Sequence, residues 1–133
     1  MSGTIHILLR YTRSQIRSNR SVLFVFGDNL SRIGFGGQAA EARGEPNSVG
    51  IVTKISPSRY LNDDYWELVK DPIVIAFDRL RVHLLQGENI VWPEDGVGTG
   101  LADLSNRAPM IAMAIDLCKE HLFSYAAHVK QPI

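Results

Sequence analysis

The 133-residue chain predicts an α/β domain of three layers with a mixed, mostly parallel central sheet, and three observations carry that expectation. Short β-branched or aromatic runs alternate with stretches of helical spacing, the pattern of strand–helix–strand units. Two glycine clusters stand directly after such runs and before helix-like segments, where open α/β sheets hold their ligands. The composition, 45% apolar and 21% charged, is that of a globular chain, and its length suits one domain, residues 1–133, able to bury a core.

The elements follow in order. Residues 4–9, Thr-Ile-His-Ile-Leu-Leu, read as a first strand. Residues 11–20 are polar. Val22 to Phe26 is an unbroken apolar run ended by Gly27, the pattern of a central strand buried on both faces. Gln38 to Arg43 suits one or two helical turns before Gly44, Glu45, Pro46 and Asn47 impose a loop, and Val49 to Thr53 is the next strand. A long loop is expected from Ser56 to Lys70. Asp71 then suits a cap and Pro72 the first helical position, with Ile73, Phe77, Leu80 and Leu84 at helical spacing and Gly87 as the C′ residue. Asn89 to Trp92 is a short strand closed by Pro93. A last helix starts within Ser105–Pro109 and presents Met110, Ile111, Ala114, Ile115, Cys118 and Leu122 as an apolar face. The tail, residues 124–133, has no clear period and either packs on the sheet or lies loose.

Charge and cysteine content narrow the class. Fourteen basic and fourteen acidic residues cancel, so no global positive field draws the chain to nucleic acid. No apolar stretch approaches the roughly 20 residues that span a bilayer. The opening MSGTIHILLR lacks the features of a signal peptide, and a single cysteine, Cys118, excludes an internal disulfide; together these predict a cytoplasmic protein. His6, His83, His121 and His128 show no metal-ligand spacing, so no metal and no cofactor is expected.

The glycines carry the functional signal. Gly27, Gly34, Gly36, Gly37, Gly96, Gly98 and Gly100 fall within two ligand loops, residues 26–54 and 92–104. Without a Cβ, such turns let phosphate oxygens approach bare backbone N–H groups. Arg10, Arg13, Arg17 and Arg20 recur at steps of three, four and three, which on a helix would form one face. That face is either solvated or a track for phosphates of a nucleic acid. Arg43 and Glu45 stand beside the first loop as a candidate ion pair.

In this order the motifs resemble macrodomains, and more closely the branch that removes terminal ADP-ribose, including antitoxins that reverse DNA ADP-ribosylation. Val52-Thr53-Lys54 resembles the strand end of that branch, and Pro93 followed by Gly98-Thr99-Gly100-Leu101 resembles its second loop. The chain is also similar to a small family of bacterial and phage proteins with FGDNL, GGQA, RGEPN, TK and WP-x-DG-x-GTGLA in sequence. The resemblance covers roughly residues 20–122 and implies a macrodomain-like fold that binds ADP-ribose or a related NAD-derived nucleotide. It implies a ligand set of Gly27, Asp28, Asn29, Gly34, Gly36, Gly37 and Gln38 from the first loop. Asp95, Gly96, Gly98, Thr99, Gly100 and Leu101 would come from the second. Asn29 would hold ribose hydroxyls, since an amide both donates and accepts. Tyr60, Tyr65, Trp66 and Trp92 are the candidates for stacking on adenine. In the resembling hydrolases a lysine attacks the anomeric carbon, aided by an aspartate just after the Gly-x-Gly-Leu step. Lys54 matches the lysine, but Ala102 stands at the aspartate's position and the carboxylate comes one residue later, at Asp103. The expected activities are therefore binding with hydrolytic release of ADP-ribose from DNA or protein, binding without turnover, or a protein- or nucleic-acid-binding module on the same fold.

Overall fold

The molecule, seen in a computed structural model, is described for residues 2–34, 36–100 and 102–130, so Leu101 and the last three residues of the tail lie outside the described residues. The described strands are β1 (Ile5–Leu8), β2 (Leu23–Asn29), β3 (Ser48–Ser56), β4 (Arg59–Tyr60), β5 (Ile90–Pro93) and β6 (His128–Val129). The helices are α1 (Arg13–Ser18), α2 (Gly37–Ala42), α3 (Trp66–Leu85), α4 (Leu104–Arg107) and α5 (Pro109–Phe123). The strands form one sheet in the order β4-β3-β2-β5-β1-β6. Every neighbouring pair is parallel except the β3–β4 hairpin, so the sheet is mixed and mostly parallel as expected.

β2 is the central strand, and its unbroken apolar run is buried on both faces. Val22, Phe24 and Phe26 pack with Tyr11, Ile16 and Ala42 on one side. Leu23 and Val25 join Ile90, Trp92 and the inner faces of α3 and α5 on the other. Helices thus cover both faces, giving three layers. The neighbouring parallel strands β2 and β5 send their following helices, α2 and α5, to opposite faces. That divergence is a topological switch point, and it opens a crevice beyond the carboxyl ends of the two strands.

Several elements differ from the sequence expectation. The helix expected from Asp71 begins at Trp66, and Pro72 lies inside it. The apolar spacing extends upstream through Val69, which is buried with Ile73, and tertiary burial outweighs the lost hydrogen bond. The carbonyl left without that donor belongs to Leu68, a residue 54% exposed, where water can take the acceptor. The expected loop from Ser56 also holds β4 and a single 3-10 turn, Asp63–Tyr65. Asp63 caps α5 from that turn, its carboxylate accepting from the Met110 and Ile111 amides at 3.1 Å. Met110 is not on the buried face of α5; it is 72% exposed. Cys118 is half-buried, and burial pushes its thiol up from the ordinary value. The described part of the tail packs on the sheet: β6 pairs with β1 at the sheet edge.

The arginines after β1 do not form a free face. α1 covers Arg13–Ser18 only, opened by a capping box in which the Thr12 hydroxyl accepts from the Gln15 amide and the Gln15 side chain accepts from Thr12. Arg13, Arg17 and Arg20 converge on the buried carboxylate of Glu45, at 3.6, 2.5 and 3.7 Å, while Arg10 stays exposed. Glu45 therefore pairs with these three and not with Arg43. Two residues on, buried Asn47 donates to the Ile16, Asn19 and Val22 carbonyls. Together they bolt α1 to the α2–β3 connection.

The hydrogen bond from Arg17, with added attraction from Arg17, Arg20 and Arg13, holds the Glu45 carboxyl below its ordinary value of 4.5. A depressed folded value means that its stabilisation is complete above the ordinary value and is lost as pH falls through the folded one. Glu45→Gln is expected to lower the melting midpoint at neutral pH and to flatten the acid limb, measured as thermal midpoints of both proteins from about pH 7 to about pH 3. Parallel curves for the two proteins would remove Glu45 from the acid response.

Candidate functional site

The crevice at the switch point is a cleft of about 420 Å³. Its walls bring together Gly27, Asp28, Asn29, Gly34, Gly36, Gly37 and Gln38 from the first loop with Lys54, Gly96, Gly98, Thr99 and Gly100. Asp95 and Asp103 are not among the lining residues, and Leu101 lies outside the described ones. The two glycine loops are thus joined in one site although thirty-seven residues, 55–91, separate them in the chain.

The glycines do different work. Gly36, Gly37 and Gly100 have no atom within 4 Å of where a Cβ would sit, so they leave bare backbone at an open surface. Gly98 has a φ of +75°, and a Cβ there would stand 3.0 Å from Leu104 and 3.2 Å from Thr53. It lets the second loop close against the ends of β2 and β3, within 3.8 Å of a Cβ placed on Gly27. Thr99 locks that loop by donating to the Asp95 carbonyl at 2.7 Å.

Strand irregularity places the next two residues. β2 and β3 pair Asp28 with Val52 and then Asn29 with Lys54, leaving Thr53 as an extra residue on β3. A bulge of this kind breaks the alternation of faces, and successive residues Thr53 and Lys54 both line the cleft. The Lys54 amino group donates to the Pro57 carbonyl at 2.6 Å and sits 4.7 Å from the centre of the Tyr60 ring. The other cation on that ring is Arg107, at 3.5 Å. Arg107 in turn pairs with Asp103 at 3.6 Å, and Asp103 also accepts from Asn106. The carboxylate expected to assist Lys54 is therefore committed to α4, because the residue sits in the left-handed region (φ +48°) that starts that helix.

Polar side chains of the first loop mainly hold the loop itself. Asn29 donates to the Ile33 carbonyl at 2.7 Å and accepts from the Ile33 amide at 3.3 Å, with one N–H and one lone pair left over among the described residues. The Gln38 amide is spent on both backbone groups of Tyr11. Arg43, which the sequence reading did not place in the site, lines the cleft and is its main brace. It donates from two nitrogens to one oxygen of Asp28, at 3.0 and 2.5 Å, and from a third to the Gly34 carbonyl at 2.8 Å. The signal was present in the RGEPN motif, but nothing in the sequence indicates a partner fifteen residues away.

None of the four aromatic residues considered for stacking lines the cleft. Trp92 is core, 2% exposed and packed against Phe77 and Phe123 on the α3–α5 side. Tyr60 comes nearest, through its contact with Lys54. Among the described residues no group of three or more His, Cys, Asp or Glu could hold a metal ion, and no helix is long and apolar enough to cross a membrane.

Residues 7–117 match a family of unknown function, DUF7831. The chain belongs to that family. The match spans both glycine loops, the Asp28–Arg43 brace and the Glu45 cluster, so the whole cleft lies inside the family region. No curated protein and no solved structure matches the chain.

The tightest tolerance beside the cleft is at Gly50, where a Cβ would come within 2.9 Å of the Asp28 side chain and 3.1 Å of Phe26. Gly50→Ala is expected to destabilise the protein by about 1–3 kcal/mol through overpacking, read as a lower urea midpoint at unchanged m. An unchanged midpoint would mean that the Asp28 brace shifts freely.

Proposed function

We propose that the DUF7831 cleft binds ADP-ribose or a related NAD-derived nucleotide, and that this chain acts by binding without turnover. The observation that carries the reading is the convergence, at one switch-point crevice, of two glycine loops that offer bare backbone from both sides. Switch points of parallel sheets are where such folds hold nucleotides, and the cleft's size falls in the range of roughly 300–1,000 Å³ usual for small-molecule sites. Asn29 keeps an unused donor and acceptor at the cleft wall, which suits adjacent ribose hydroxyls. The resemblance to macrodomains supplies the ligand class.

Binding is favoured over hydrolysis by the disposition of Lys54 and Asp103. The lysine is engaged with Pro57 and Tyr60, the aspartate with Arg107 and Asn106, and the one carboxylate among the described lining residues, Asp28, is held by Arg43, so Lys54 has no helper paired with it. A nucleophile needs its helper within hydrogen-bond reach.

Calorimetric titration with ADP-ribose, with AMP and NAD as controls, tests the reading. A micromolar dissociation constant is expected, weakened about tenfold or more by Asn29→Ala and by Gly36→Val, and changed less than about threefold by Lys54→Ala. Gly36 has open space around it and an ordinary φ of −91°, so valine there fills the cleft without disturbing the fold. Absence of heat with every nucleotide would overturn the proposal. Release of ADP-ribose from a modified DNA or protein, lost in Lys54→Ala, would replace it with the hydrolase reading.

A further inference from the structure

A second concavity lies at the other end of the sheet, where β2 and β3 begin. This groove of about 570 Å³ has one wall formed by Arg79, Val82, His83 and Gln86, a single face of α3 at steps of three, one and three. Arg20 and Asn47 stand across from them, beside Leu23 and Pro46. Three cation-forming side chains thus line one hollow, and no carboxylate is among the described lining residues.

These side chains are held in place from behind. Arg79 donates to the Pro46 carbonyl at 2.8 Å and the Ser48 carbonyl at 3.4 Å. Arg20 donates to the Asn47 amide oxygen at 2.7 Å, and His83 uses Nε2 on the Ser21 carbonyl at 2.8 Å. A guanidinium has more N–H donors than these bonds use, and His83 Nδ1 adds a donor in the protonated ring. Arg20 also stands 3.7 Å from the Glu45 carboxylate, whose charge is offset by Arg13 and Arg17 as well. The carboxyl end of α3, which would otherwise repel an anion, has its carbonyls at Val82, His83 and Leu84 occupied by the Gln86, Glu88, Gly87 and Gly3 amides.

We propose that this groove is a second binding site, distinct from the cleft, for a small ligand bearing two or more phosphate groups. Fixed guanidinium groups on separate walls grip a multiply charged anion with several charge-assisted bonds at once. A free oligophosphate or nucleotide polyphosphate fits better than a nucleic-acid backbone. The arginine row that would extend the contact along a strand ends at Arg13 and Arg17, which are tied to Glu45.

The test is calorimetric titration of the full chain with tripolyphosphate at low salt. One site per chain is expected, weakened about tenfold or more by Arg79→Gln and by Gln86→Glu, and unaffected by Gly36→Val in the distant cleft. The Gln86 side chain is exposed at the end of α3, so its substitution adds a repelling charge while leaving the fold intact. Matched circular dichroism and melting curves identify an Arg79→Gln effect due to misfolding, in which case Gln86→Glu alone decides. No binding up to about 10 mM, or binding indifferent to Gln86→Glu, would overturn the proposal. So would a single-stranded oligonucleotide that binds through the groove and is not displaced by tripolyphosphate, since that assigns the surface to nucleic acid.

Discussion

Asp28 ends the apolar run of β2 with a carboxylate whose side chain is 2% exposed, and the Arg43 guanidinium is what makes that burial tolerable. One oxygen collects the Asn29 amide and two arginine nitrogens, while the other lies buried against Gly50 with no partner among the described residues. A buried pair of this kind adds little net stability, but losing one partner leaves an uncompensated charge that costs about 3–5 kcal/mol. The pair therefore acts as a constraint. It fixes the exit of β2, the end of α2 and, through the Gly34 carbonyl, the glycine loop between them.

The segment from Arg43 to Asn47 then serves two ends of the sheet at once. Arg43 reaches the cleft, whereas Glu45 and Asn47 anchor α1 beside the opposite groove. Gly44, at φ +88°, makes the turn between them possible. Tyr11 adds to this attachment by donating its hydroxyl to the Val25 carbonyl, and burial pushes that phenol up from its ordinary value. A short helix such as α1 would not persist by itself. It is ordered by polar contacts with a loop far along the chain, so both concavities rest on one motif.

On the proposed reading, the cleft separates recognition from chemistry. Its glycines present backbone, and backbone needs no particular protonation state to bind. A hydrolase would need a side-chain pair aimed at one carbon, and Lys54 and Asp103 are drawn apart by Tyr60, Pro57 and Arg107. The bulge at Thr53 nonetheless keeps Lys54 on the cleft wall, although its amino group is turned to Pro57 and Tyr60.

Local patterns in the sequence determined the layered α/β class, the central strand Val22–Phe26, the C′ role of Gly87 and the membership of both glycine loops in one cleft. These depend on short-range periodicity, on turn conformation and on the placement of loops at strand ends, all of which leave a trace in neighbouring residues. Only the tertiary structure decided which charges meet. Arg43 chose Asp28 over Glu45, three arginines that read as a free face closed on Glu45, and Asp103 turned toward α4. It also started α3 at Trp66 in spite of Pro72 and made Trp92 core instead of a stacking platform. Ion pairing and burial depend on the distance between side chains brought together from remote parts of the chain, and no local pattern encodes that distance.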